Sequence, residues 1–95
     1  MYYILLYEFV DNYVERRTPF RAEHLGLANE ALGRGELLLA GAHGEPIDGA
    51  TLVFTVDDPA VVERFAKNDP YVKNGLVTNW RVVPWHVVVG GKSQA

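Results

Sequence analysis

The chain has 95 residues, no cysteine and a formal net charge of -3. That length suits one small domain spanning residues 1–95, near the lower end of what a lone core can stabilise. The missing cysteine excludes thiolate catalysis, disulfides and cysteine-based metal sites, and the acidic balance leaves no basic stripe for nucleic acid, since Arg16, Arg17 and Arg21 make only a local patch.

Tyr2 to Phe9 is aromatic and β-branched, and apolar on both alternating sets, as expected of a central strand covered on two faces. It is far too short to cross a bilayer. No charged leader with a cleavage site precedes it, so no membrane partner and a cytoplasmic location are expected. Val10 to Arg17 reads as a polar loop. Thr18-Pro19 opens a helix, with a hydroxyl to cap free amides and a proline where its missing N–H is harmless. Phe20, His24, Leu27, Ala28 and Ala31 then share one helical face, with His24 in its middle. Gly33 and Gly35 supply the exit.

Glu36 to Ala42 and Ala50 to Val56 read as an antiparallel hairpin joined by the turn-rich segment His43 to Gly49. Asp58-Pro59 opens a second helix through Val61, Val62, Phe65 and Ala66, ending near Asn68 because the residue before Pro70 is biased out of helical geometry. Asp69 can cap one further turn, Pro70 to Asn74, closed by Gly75. The last strand is expected from Leu76 or Val77 to about Val89, at an edge because Pro84 lacks a ladder donor, with a loose tail from Gly90 to Ala95.

This order, βαββαβ, folds under the right-handed crossover rule into a ferredoxin-like α+β sandwich with both helices on one sheet face. The other face is too apolar to lie in water, which predicts a homodimer packing sheet on sheet. The long last strand, with Trp80, Trp85 and Val87-Val88-Val89, is expected to reach across and complete the partner's sheet.

Several residues carry chemistry. His24 is a candidate general base, because imidazole exchanges protons close to neutrality; the competing reading is a histidine satisfied within the core. Asp69 is a candidate to orient that ring, or a plain cap like Asp58, or both. Arg21, one turn before His24, can attract an anion or simply lie solvated. Tyr7 and Tyr71 can offer hydroxyls to a ligand or serve as packing. Gly41 lets a ligand approach the strand backbone closely or marks a bulge. His43 and His86 lie at no recognisable metal spacing, so no metal is expected. No phosphate loop or nucleophile elbow occurs.

The Tyr2 to Tyr7 opening, Arg21-Ala22-Glu23-His24-Leu25, Leu39-Ala40-Gly41-Ala42, and Asn68-Asp69-Pro70-Tyr71 followed by Gly75-Leu76 together resemble the YciI-like (YCII-related) proteins over nearly the whole chain. The resemblance implies a fold of the dimeric α-β barrel type and a His/Asp dyad in a pocket at the sheet–helix junction, mapping onto His24 and Asp69. It implies cofactor-free acid/base chemistry on a small cyclic or aromatic molecule, of isomerase, lyase or dehydrochlorinase kind. The alternative is a non-catalytic small-molecule-binding or accessory module. The hairpin Gly44-Glu45-Pro46-Ile47-Asp48-Gly49 departs from the tighter Gly-Pro segment of many relatives, so a different pocket wall is expected there.

Overall fold

Alternation along the first strand decides what faces what. In the computed structural model, which describes residues 1–91, β1 (Tyr2–Phe9) lies third in a four-stranded sheet of order β2-β3-β1-β4 with β2 at Leu37–His43, β3 at Gly49–Thr55 and β4 at Val77–Trp85. Every neighbouring pair is antiparallel. Each helical crossover skips one strand, which is the ferredoxin-like α+β arrangement. No helix is long and apolar enough to cross a membrane among the described residues.

Tyr3, Leu5 and Tyr7 point to the helical side, where Leu5 pairs in register with Leu52, Tyr3 with Phe54 and Tyr7 with Ala50. Against them pack Ala31 of α2 (Arg21–Gly33) and Val62, Phe65 and Ala66 of α3 (Ala60–Asn68). Burying side chains such as Leu5, Phe54 and Val62 stabilises by about 1.5–3 kcal/mol each, and all three are essentially inaccessible. The opposite face presents Ile4, Leu6, Val53 and Val83 by the same alternation.

Local signals explain most boundaries. The Asp58 carboxylate accepts the Ala60 N–H at 2.9 Å, fastening the start of α3. Gly35, at φ 79, lets the chain leave α2. Gly75, at φ 76, closes α4 (Pro70–Lys73), after which Leu76 N–H donates to the Tyr71 carbonyl. Pro84 stands in the edge strand, where a missing donor is tolerated.

Three expectations need correction. The expected loop contains a helical turn, α1 (Tyr13–Arg16), entered through Asn12 at φ 61, a conformation asparagine tolerates. Tyr13 drives it by burying its ring in the core. The Thr18 hydroxyl caps nothing; Thr18–Phe20 is a 3-10 turn running straight into α2. β4 stops at Trp85 rather than Val89, because Trp85 pairs with Tyr2 and β1 offers no residue beyond it. Val88 and Val89 are left 74% and 87% exposed. Of the expected tail, residues 92–95 lie outside the described residues.

Candidate active site

The site is built around one carboxylate. Asp69 joins α3 to α4 in extended geometry and is 0% exposed. Its Oδ1 accepts the Tyr71 N–H at 2.9 Å, which caps α4. Its Oδ2 accepts the Tyr7 hydroxyl at 2.7 Å. His24 Nδ1 stands 2.9 Å from Oδ1 and 3.0 Å from Oδ2.

An ionised carboxylate only accepts hydrogen bonds. The nitrogen facing Asp69 must therefore carry a proton, which leaves the lone pair of the neutral ring on Nε2; the tautomer follows from the network. The imidazole is also held flat on Tyr71, with ring centroids 3.9 Å apart and planes 10° from parallel. Helical spacing puts His24 on the inner face of α2, while the Asp-Pro boundary sets Asp69 beneath it.

His24 borders a cavity of about 220 Å³ between α2, β2 and the end of β1. Tyr7, Arg21, Gly41 and Tyr71 border the same cavity, and Asp69 lies behind its wall. Gly41 does not supply the room. Ala40 and Ala42 pair with Leu52 and Ala50, so their methyl groups share the inner face, whereas Gly41 pairs with Thr51 on the other. A Cβ on Gly41 would meet nothing within 4 Å. The hairpin turn does not form the wall either: Pro46, Ile47 and Asp48 border a separate cleft with the segment from Phe9 to Glu15, because the turn extends past the end of β1.

Burial, helped by the charge of Asp69 and the hydrogen bond to it, pushes the Tyr7 hydroxyl pKa well up. Burial likewise raises Tyr71 to about 12; Tyr13 pushes the same way, and Arg21 and Arg17 oppose it. The Tyr71 hydroxyl nonetheless makes no hydrogen bond of ordinary geometry. Both phenols stay protonated at neutral pH, and Tyr7 donates its hydrogen bond to Asp69.

Tyr13, Arg17 and Phe9 also border the cavity, and sequence reasoning passed them over. Tyr13 stacks on Phe9 with centroids 3.7 Å apart and carries the Arg17 guanidinium 5.3 Å above its ring. The available signal was an aromatic followed four residues later by a cation, a helical spacing. Among the described residues no group of three or more His, Cys, Asp or Glu side chains converges to hold a metal ion.

A ferredoxin-like sandwich with an imidazole–carboxylate pair at a sheet–helix cavity defines a small α+β domain with a candidate acid/base site. The chain belongs to the YCII-related domain family, whose model matches residues 1–86. It is 26% identical over 97 aligned positions to an uncharacterized protein of Haemophilus influenzae, covering 93% of this chain and 99% of that one. Its fold is similar to that of 5-chloro-2-hydroxyhydroquinone dehydrochlorinase (TftG) from Burkholderia phenoliruptrix, solved with 2,5-dihydroxybenzoquinone. The TM-score is 0.74 at 19% identity, covering 90% of this chain and 93% of the other.

Proposed function

We propose that this protein is a small cofactor-free enzyme in which His24 moves a proton on a single-ring organic molecule. The observation that carries the reading is the fixed imidazole: Nδ1 is engaged by a fully buried carboxylate and the ring borders a cavity. Nε2 takes a proton from an acidic C–H or O–H of the ring. The bonding pair moves into the ring, and either expels a leaving group with its electrons or is reprotonated at another atom by the same nitrogen. The first course is a lyase reaction of dehydrochlorinase kind, the second an isomerisation. Asp69 stabilises the imidazolium formed midway, and Tyr7 keeps Asp69 in place. The quinone bound by the solved relative of similar fold supports the choice of a monocyclic, oxygenated ring.

The same reading takes the protein as a soluble homodimer. Leu39 and Trp85 on the helix-free face are 60% and 44% exposed, and a second copy would cover them.

The test is turnover of a panel of hydroxylated and halogenated monocyclic compounds by the wild type, His24→Ala and Asp69→Asn. General acid–base catalysis contributes about 10²–10⁴-fold, so each variant should lose at least about a hundredfold. Full activity in either variant overturns the assignment. Ligand binding without turnover across the panel would favour the binding-module alternative.

A further inference from the structure

The cavity beside His24 has a charge its sequence context hides. In a chain of net charge -3, the cavity is bordered by two arginines, Arg17 and Arg21, and by no carboxylate. Among the described residues neither guanidinium has a hydrogen-bonded or ion-paired side-chain partner; the ion pairs are His24 with Asp69 and Arg34 with Glu36. Arg17 is set in position over the Tyr13 ring at 5.3 Å. Tyr71 borders the same cavity, is only 1% exposed, and its hydroxyl makes no hydrogen bond of ordinary geometry.

We propose that this end of the cavity is an acid-group receptor, and that the ligand is a small ring carboxylate held by Arg17, Arg21 and the Tyr71 hydroxyl. The proposal rests on the acid/base reading only for what happens to the ring afterwards; the receptor itself is independent of it. A carboxylate offers two coplanar acceptor oxygens, which match the forked donors of a guanidinium. The Tyr71 hydroxyl is held protonated and can donate to one of those oxygens, a better-aligned acceptor than the protein gives it. Phe9, Tyr13 and the small Ala28, Ala40 and Ala42 supply the apolar remainder of the lining. At about 220 Å³ the space is below the roughly 300–1,000 Å³ of sites for drug-sized ligands, which restricts the occupant to one ring. A phosphate would instead call for a cradle of backbone N–H groups, and none of the glycine-rich pattern that builds one is present.

Benzoate is the probe, and benzamide its neutral isostere, both titrated calorimetrically into the intact protein at low salt. Benzoate is expected to bind at millimolar concentration or better, with benzamide about tenfold weaker, a difference of about 1.4 kcal/mol. Added salt should weaken benzoate and spare benzamide. The double variant Arg17→Gln, Arg21→Gln should bind benzoate about tenfold more weakly, and Tyr71→Phe a few-fold more weakly. Equal binding of the two probes, no benzoate binding at millimolar concentration, an unaffected double variant, or displacement of benzoate by equimolar inorganic phosphate would each overturn the proposal. The two readings fail separately. Selective benzoate binding with turnover unaffected by Asp69→Asn leaves the receptor and removes the acid/base role, whereas dyad-dependent turnover with no preference for benzoate does the reverse.

Discussion

Tyr7 donates its hydroxyl to Oδ2 of Asp69 at 2.7 Å across a separation of 62 positions. That bond ties the middle of the sheet to the junction of two helices, and it holds the carboxylate that holds His24. A buried acceptor with three donors is also a structural element, so removing parts of it should show in stability before it shows in chemistry. Tyr7→Phe leaves the ring and deletes one donor, for an expected loss of about 1–3 kcal/mol. Asp69→Ala strands Tyr7, the Tyr71 N–H and His24 together and should cost more than Tyr7→Phe. Asp69→Asn keeps an acceptor for the Tyr71 N–H and should lie between wild type and alanine. Urea denaturation ranks the three, and an alanine variant as stable as wild type would contradict the network.

Alkaline stability follows from the phenols. Tyr71 is raised to about 12 from an ordinary 10.0, and Tyr7 is raised as well, by burial first and by Asp69 second. Above the ordinary value the unfolded chain has released a proton that the folded protein retains, so the unfolded state binds fewer protons and stability declines with rising pH. Stability owed to Tyr71 is therefore fully present below about pH 10 and lost between about pH 10 and 12. Tyr71→Phe should flatten part of that decline in denaturant titrations taken across the window. An identical slope in the variant would show that Tyr71 does not retain its proton.

Room in the cavity depends on two methyl groups rather than on the glycine between them. Ala40→Leu should fill the space and abolish binding of single-ring ligands while leaving the fold intact, because residue 40 is not part of the buried core. Gly41→Ala should bind as the wild type does, since its Cβ enters open space. Calorimetry with one probe separates the two variants, and the opposite ranking would mean that β2 presents its other face to the cavity.

Assembly is tested at Leu39, which pairs with Val53 on the helix-free face. Leu39→Asp places a charge where the second copy would sit, so the wild type should sediment as a dimer and the variant as a folded monomer. A wild type that is monomeric at all practical concentrations removes the sheet-on-sheet dimer.

Much of the architecture is written locally. The spacing of His24 among Leu27, Ala28 and Ala31 sets it on the inner helical face. The Asp58-Pro59 and Asp69-Pro70 pairs start their helices, and Gly35 and Gly75 end theirs, because each signal acts within one turn of itself. β4 ran shorter than its apolar pattern because strand length is decided by the neighbour: β1 begins at Tyr2. The turn at Tyr13 was hidden because its polar surroundings describe the solvent side, while one aromatic ring carries the buried side.

Residue order by itself determined the four strands and the two long helices in their order, and that His24 and Asp69 lie at places where chemistry is available. Those are consequences of short-range sterics, capping and periodicity. Only the tertiary structure decided that Tyr7 reaches Asp69, that Ala40 and Ala42 face inward while Gly41 does not, and that Arg17 and Arg21 border a cavity without a carboxylate. Those depend on strand register and helix docking, where a slip of one residue exchanges the two faces of a sheet.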